Sequence, residues 1–428
     1  MRYLRSRHIA ASRNSQRGFT LIELLVSMAV TTVILGATMA AMNNAINATE
    51  SAKQITDMNN GLRTAMDLMV RDMLQVGQGL PGGRSILVPN GANSIPMQLP
   101  GPEGSNYQFD GPSFCPPRAT DPDTVCEEIT AVIPGPGRGP VLAENEPASD
   151  MITTLAADSS FETVPLRAFA NDGRSITVPR PGVTVVGAAD PLHPSGHIIS
   201  DDPDVAGDNI RAGDLIMLTK GSSSALVQVS SVTGPGVFPQ VINFAANDSL
   251  NLNQAPPVAD GTAGELRNTA PIDTLQRPPV VGAPCAAAPA PCDFVTTVAT
   301  KIRMISYYID NVTNPQRPRL VRRINNGPWD SFDNTAGTAV AFDIEGLQIT
   351  YDLVDGVNNP SNVRMDDDDL AGDSAKCDTS CYPNQIRKIN IMMSARSRLP
   401  RRGTQEFFRA RLVTQVSLRS LAFVDRYR

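Results

Sequence analysis

The chain has 428 residues, of which 41% are hydrophobic and 19% are charged, so it can form one large or two smaller folded domains. Glycine (32 residues) and proline (35 residues) are frequent, which predicts many loops. The formal net charge is −6 at pH 7, and this acidic balance argues against non-specific binding of nucleic acid through bulk charge.

Residues 1–18 form a basic segment in front of a long apolar run. They contain five arginines and no acidic residue, so the chain without them carries about −6 − 5 = −11. Residues 19–42 carry one charge, Glu23, and are long enough to cross a bilayer as a single helix, which needs roughly 20 residues. The positive-inside rule then places the N-terminus in the cytoplasm and the rest of the chain on the other side of the inner membrane.

Glu23 is the unusual residue of this apolar run. A carboxylate inside a membrane helix is costly and needs a cationic partner, so it indicates a functional site. The alternative is a signal anchor whose glutamate lies near the membrane interface.

The segment Gly-Phe-Thr-Leu-Ile-Glu at 18–23 resembles the processing site of type IV prepilins and of type II secretion pseudopilins. The resemblance implies that a prepilin peptidase cuts between Gly18 and Phe19 on the cytoplasmic side and methylates the new amino group of Phe19. It also implies that Glu23, the fifth residue of the mature chain, pairs with the N-terminal amine of a neighbouring subunit during filament growth.

The helix is expected to continue beyond the membrane to about residue 76. Apolar residues at helical spacing form one stripe, made of Ile55, Met58, Leu62, Met66, Met69, Met73 and Val76. Gly77 and Gly79 are expected to end the helix, which would contain about 58 residues and measure about 87 Å. The stripe is interpreted as packing against a globular head, with a partner-binding face as the alternative.

The remainder of the chain is predicted to be mainly β-strands and loops. Gly346 is expected to mark a bulge or a bend between two strands. Residues 84–140 are predicted to be rich in loops, and residues 234–295 to form surface loops or to be partly disordered. Strands are predicted at 128–133, 151–155, 175–178, 214–218, 225–232, 301–310, 319–324, 340–344, 347–353, 386–395 and 408–418.

A second and weaker resemblance covers about residues 300–420. It rests on the order of Tyr-Tyr-Ile-Asp at 307–310, Arg-Leu-Val-Arg-Arg at 319–323, Glu-Gly-Leu-Gln-Ile-Thr-Tyr-Asp at 345–352, Arg-Lys-Ile-Asn-Ile at 387–391 and a final strand with several arginines. This order is similar to PilW-type minor pilins, and it also resembles the J-type minor pseudopilins of type II secretion.

Six cysteines form three pairs that are close in sequence. An even number of cysteines in an exported domain suggests disulfides, and free thiols or a zinc site are the alternatives. Connectivity does not follow from sequence, although local pairing is the simplest choice. The candidate disulfide residues are Cys115, Cys126, Cys285, Cys292, Cys377 and Cys381.

Metal sites and catalytic motifs receive little support. His193 and His197 have the spacing of a helical zinc pair, but Pro194 and Gly196 lie between them and disfavour a helix. Two acidic clusters suit calcium by ligand type, although a solvated acidic loop is the simpler interpretation of each. The clusters are Asp201, Asp202, Asp204 and Asp208, and then Asp366, Asp367, Asp368, Asp369 and Asp373.

The sequence therefore predicts an α+β protein in which a long N-terminal helix packs on an antiparallel, pilin-like β head with long loops. The expected segments are a leader (1–18), a membrane or filament-core helix (19–42), the soluble half of the helix (43–78) and an extracytoplasmic head (79–428). The expected role is a non-enzymatic minor pilin that assembles or primes a type IV pilus. A pseudopilin of a secretion or DNA-uptake system and a pilus-associated adhesin are the alternatives.

Overall fold

The long helix, α1, dominates the N-terminal part of the computed structural model and covers Leu21–Gln75. Its bounds agree closely with the sequence prediction. The structure describes residues 19–80, 86–87, 97–101, 107–109, 128–142, 147–159, 163–166, 168–169, 174–178, 210, 212–220, 223–232, 240–245, 248–253, 297–312, 314–325, 337–354, 356–365, 381–401 and 406–421.

Antiparallel strands make up most of the rest of the described chain, so the fold is α+β, as the sequence predicts. In chain order the strands are β1 (Ile86–Leu87), β2 (Met97–Leu99), β3 (Tyr107–Phe109), β4 (Glu128–Ile129), β5 (Val132–Gly135), β6 (Met151–Ala157), β7 (Val164–Pro165), β8 (Ala168–Phe169), β9 (Ser175–Val178), β10 (Leu215–Lys220), β11 (Ser223–Gln228), β12 (Ser231–Val232), β13 (Gln240–Asn243), β14 (Val298–Asp310), β15 (Arg319–Ile324), β16 (Thr338–Phe342), β17 (Ile344–Leu353), β18 (Ile386–Arg396) and β19 (Arg409–Ser417).

The 13-residue strand β14 is the centre of the largest sheet, which has eight strands. The first part of β14 pairs with β10 and β7, and its second part pairs with β6 and β15. β11, β5 and β16 extend the sheet outwards from these neighbours. β12, β13, β9 and β8 form a separate four-stranded sheet, and the pairs β1–β4 and β2–β3 complete the described sheets.

A three-stranded sheet, ordered β17-β18-β19, follows directly after the large one. The chain passes from β16 to β17 through Asp343, whose backbone lies in the left-handed region (φ 62°). The strand predicted at 340–344 is therefore too long at its C-terminal end. β16 ends at Phe342, and the turn at Asp343 separates it from Ile344, which begins β17. Gly346 marks a register shift in the pairing of β17 with β18, which confirms the predicted bulge.

The last third of α1 packs on the head through the predicted methionine-rich stripe. Met69 and Met73 are fully buried, and Ala65, on the same face, is as well. This stripe shares one hydrophobic core with the inner faces of β17, β18 and β14. The helix contacts β16, β18 and β19, so packing on the head is the correct interpretation of the stripe within the described residues.

The end of α1 is fixed to strand β6. Gly77 donates its N–H to the carbonyl of Leu155 at 2.9 Å, and Ala157 donates to the carbonyl of Gln78 at 2.8 Å. Gly77 and Gly79 have φ values of +76° and +71°, and a Cβ on Gly79 would lie 2.5 Å from that of Ala157. The two glycines therefore end the helix as predicted, because only glycine fits this conformation so close to the sheet.

Two of the strand predictions fused neighbouring elements. The strand predicted at 128–133 is β4 and β5 with a break at 130–131, and the strand predicted at 225–232 is β11 and β12 with a break at 229–230. In both places the partner strand changes without a glycine or proline in the sequence, so sequence periodicity does not reveal the break.

The segments predicted to be loops contain regular structure in their described parts. Strands β1, β2 and β3 lie within 84–140, and β13 lies within 234–295. Leu250 and Leu252 are fully buried, because the carboxylate of Asp248 accepts the N–H groups of Leu250, Leu252 and Asn253 and folds the segment locally. The surface-loop prediction is therefore wrong for the strand at 240–243 and for the buried residues Leu250, Leu252 and Asn253.

Candidate functional site: the N-terminal helix

The start of α1 carries the predicted processing and assembly residues that the structure describes. Phe19 is 84% exposed and precedes the helix, and Thr20 is its N-cap. The N-cap side chain accepts the N–H of Glu23, and the Glu23 carboxylate accepts both the N–H and the hydroxyl of Thr20 at 3.0 Å each. Thr20 and Glu23 thus form a capping box, which satisfies two of the free donors at the helix start.

This capping box decides what Glu23 can do in the isolated chain. One carboxylate oxygen of Glu23 receives both hydrogen bonds from Thr20, and among the described residues the other oxygen has no hydrogen-bond donor. Hydrogen bonds from neutral donors do not neutralise a carboxylate. The negative charge therefore remains at the helix start, about one turn from Phe19, where a cationic group of another chain can reach it.

The first half of α1 presents an apolar surface that the described head does not cover. α1 is long and apolar enough to cross a membrane, and the most apolar window of the helix has no buried residue. The exposed large apolar residues here are Phe19, Leu21, Ile22, Leu24, Leu25, Val26, Met28, Val30, Val33, Ile34, Leu35, Met39, Met42 and Ile46. This part of the helix therefore suits an apolar environment such as lipid or other apolar helices.

A buried polar cluster holds the second half of α1 against the head. Asp72 accepts a hydrogen bond from the hydroxyl of Tyr307 at 2.5 Å and forms an ion pair with Arg322, whose Nε lies 2.6 Å from the carboxylate. A second bond joins the Arg322 Nη2 to the other oxygen of Asp72 at 3.2 Å. The guanidinium thus meets the carboxylate with two bonds, the geometry that makes an Arg–carboxylate pair strong and specific.

Burial sets the proton affinities in this cluster. Burial raises the pKa of Tyr307 well above its ordinary value, and the hydrogen bond to the Asp72 carboxylate raises it further. Burial alone would lower the pKa of Arg322, but the hydrogen bond and charge of Asp72 outweigh burial and raise it. The phenol therefore stays protonated and the guanidinium stays charged over the physiological range.

Sequence reasoning did not find the Asp72 cluster. The available signal was an aspartate beside the buried positions of Met69 and Met73, which places a carboxylate on the face that packs against the head. The partner could not be found in the same way, because Arg322 lies 250 residues away in a strand with three arginines.

Several predicted site residues lie outside the described part of the chain. Gly18 is one, together with both acidic clusters, His193 and His197, and all cysteines except Cys381. Cys381 is fully buried and disulfide-bonded. Among the described residues there is no group of three or more His, Cys, Asp and Glu side chains that could hold a metal ion.

One comparison with known proteins gives a match. Residues 13–39 match the family model described as the prokaryotic N-terminal methylation motif. The chain matches no curated protein and no solved structure. The matched region contains Gly18, Phe19 and Glu23 and the beginning of the exposed apolar helix. Taken with the long helix and the antiparallel sheets, the match supports a membrane-anchored, type IV pilin-like protein.

Proposed function

We propose that the chain is a minor subunit of a type IV pilus, anchored in the inner membrane before assembly and incorporated into the filament or its tip complex. The observation that carries this proposal is the division of α1 into an exposed apolar half, with Glu23 in its first turn, and a half that is held to the head through Asp72. A subunit of this kind can leave the bilayer only if other apolar helices replace the lipid around it.

The amino group of Phe19 in a neighbouring subunit is the proposed cationic partner of Glu23. A carboxylate in an apolar environment is stabilised by a nearby ammonium group, and the processed N-terminus supplies one in each subunit. The proposed partners are accordingly other pilins, the prepilin peptidase and the inner-membrane assembly platform. The chain acts as a substrate of the peptidase and as a structural subunit, with its head on the extracytoplasmic side.

Processing is tested with substitutions at Gly18. We expect Gly18→Glu to block cleavage because a charged side chain does not fit a site that accepts glycine, whereas Gly18→Ala, with one added methyl group, should still be processed. Mass spectrometry of the wild-type protein should find an N-methylated Phe19 as the first residue. An intact Met1 terminus in cells with active peptidase would contradict the proposal.

Filament shearing separates the pilus from the alternatives. A pilus subunit should appear in the sheared surface fraction, and its deletion should reduce piliation without loss of protein secretion. A pseudopilin should give the opposite result, with lost secretion and normal pili. An adhesin should leave pilus number unchanged and reduce surface attachment.

A further inference from the structure

The hairpin of β18 and β19 is strongly basic in an otherwise acidic protein. Residues 386–421 carry nine basic residues and one acidic residue, a net charge of +8, so the rest of the chain carries −6 − 8 = −14. Eight of the nine are among the described residues, namely Arg387, Lys388, Arg396, Arg398, Arg401, Arg409, Arg411 and Arg419. Such a separation of charge creates a local positive potential that can select a partner.

Strand alternation places part of this charge on one outer surface. Ile389, Ile391 and Met393 face the core, so the alternate residues of β18 face outwards, and β19 follows the same alternation. The outer side chains that matter here are Lys388, Met392 and Arg396 of β18 and Arg409, Arg411 and Val413 of β19. We call these six residues the basic hairpin face.

Two arginines of the basic hairpin face are held in fixed positions. Arg396 and Arg409 both bond to the buried carboxylate of Glu345, at 3.2 Å and 2.8 Å. One carboxylate balances only one of the two guanidinium charges, and the Arg409 side chain is still 52% exposed. The surface therefore keeps a net positive charge and presents it with little loss of side-chain freedom on binding.

The centre of the basic hairpin face is apolar and open. Val413 is 68% exposed although it lies in the middle of a regular strand, directly opposite Met392. An exposed apolar centre with arginines along one side of it has the composition of a protein–protein interface, in which Met and Arg are enriched.

We propose that the basic hairpin face docks on a carboxylate-rich surface of a different, neighbouring filament subunit. This inference rests on the proposed function, since it names a partner within the same filament. A second copy bound through the same face is disfavoured, because two-fold pairing would bring Arg409 and Arg411 against arginines. A nucleic acid or a lipid headgroup layer is also disfavoured, because the remaining −14 of the chain repels an extended polyanion.

The test uses the full-length protein in cells and a photoreactive benzoylphenylalanine in place of Ser417, which lies on the same face of β19. Val312 serves as the control position, since it is 56% exposed and lies in another strand connection. We expect the Ser417 position to form an adduct with another subunit that carries the methylation motif, identified by mass spectrometry, and the Val312 position to form none with that subunit.

Two substitutions at Val413 test whether charge selects the partner. Val413→Asp should reduce the adduct at least about tenfold, because one repulsive contact costs more than the 1.4 kcal/mol that corresponds to a factor of ten. Val413→Lys should retain the adduct. Loss with both variants would indicate an apolar contact alone, and loss with neither would show that the charge of this face does not select the partner, so each of these outcomes overturns the proposal.

The same cells separate this inference from the proposed function. If Phe19 is methylated and the chain is present in sheared filaments, but Ser417 gives no adduct with another subunit, the docking proposal fails and the pilin role stands. An adduct only with a second copy, lipid or nucleic acid has the same consequence. If the chain is neither processed nor incorporated, both proposals fail.

Discussion

Asp72→Asn is expected to loosen the attachment of the helix to the head. The substitution keeps the size of the side chain but removes its charge. Arg322 then loses its counterion, and the Tyr307 hydroxyl loses its acceptor or keeps only a neutral one. The side chains of Asp72 and Arg322 are only 6% and 19% exposed, so water replaces little of the lost interaction.

The magnitude follows from this burial. Removal of one partner of a buried ion pair costs about 3–5 kcal/mol, and we expect a value near the lower end because part of the Arg322 side chain reaches solvent. Tyr307→Phe removes only the donor of one hydrogen bond to a charged acceptor and should cost about 1.5–3 kcal/mol. The double variant Asp72→Leu with Arg322→Met should be closer to wild type than Asp72→Asn, because no buried charge is left without a partner.

The assay is urea unfolding of the full-length protein in detergent, followed by near-ultraviolet circular dichroism, which reports on packing around the tyrosines. Asp67→Asn is the matched control, since Asp67 is an exposed aspartate of the same helix, and it should change the free energy of unfolding by no more than about 0.5 kcal/mol.

Two results would refute this reasoning. A free energy of unfolding for Asp72→Asn within about 0.5 kcal/mol of wild type would show that the pair does not stabilise the docked helix. A double variant as unstable as Asp72→Asn would show that the loss comes from altered packing and not from an uncompensated charge.

Glu23→Gln should keep the capping box but lose incorporation into filaments. Glu23→Ala should also lose incorporation, and cleavage before Phe19 should continue in both variants. Normal incorporation of both variants in sheared filaments would show that the carboxylate has no role in assembly. Burial raises the pKa of Tyr308 to about 12. The contribution of its protonated phenol to stability should therefore be complete below about pH 10 and lost as the pH rises towards 12, which urea unfolding at several pH values measures. An unchanged free energy of unfolding over that interval would contradict this prediction. Intact-mass analysis with and without reductant should detect up to three disulfides, and alkylation of Cys381 without reduction would contradict the bridge at that residue.

The helix and the strand pattern could be predicted because each depends on local repetition. The spacing of three and four between Leu62, Met66, Met69 and Met73 can place these side chains on one face of a helix only, and that face is buried. The alternation in β19 likewise identified its buried side, at Val416 and Leu418. The capping box was present in the sequence as Thr20 and Glu23, and the family resemblance drew attention to the carboxylate but not to its local hydrogen bonds.

The features that were missed depend on groups far apart in sequence or on backbone hydrogen bonds. Asp72 and Arg322 meet only because β14 and β15 place the arginine beside the helix. The segment around Asp248 lacks a hydrophobic period, and its burial follows from three N–H groups that converge on one carboxylate. Neither arrangement changes composition or periodicity, which are the quantities that sequence reasoning uses.

The Asp72 cluster also has a role that the apolar contacts of α1 cannot fulfil. Hydrophobic burial is non-directional, and methionine side chains adapt to small displacements, so the stripe from Leu62 to Met73 resists separation of helix and head better than it resists sliding along the helix axis. A two-bond ion pair with a third bond from Tyr307 tolerates little displacement, because hydrogen bonds weaken steeply with distance and angle. Asp72, together with the backbone bonds of Gly77 and Gln78 to β6, therefore fixes the axial position of the helix on the head, and with it the distance from the head to Glu23.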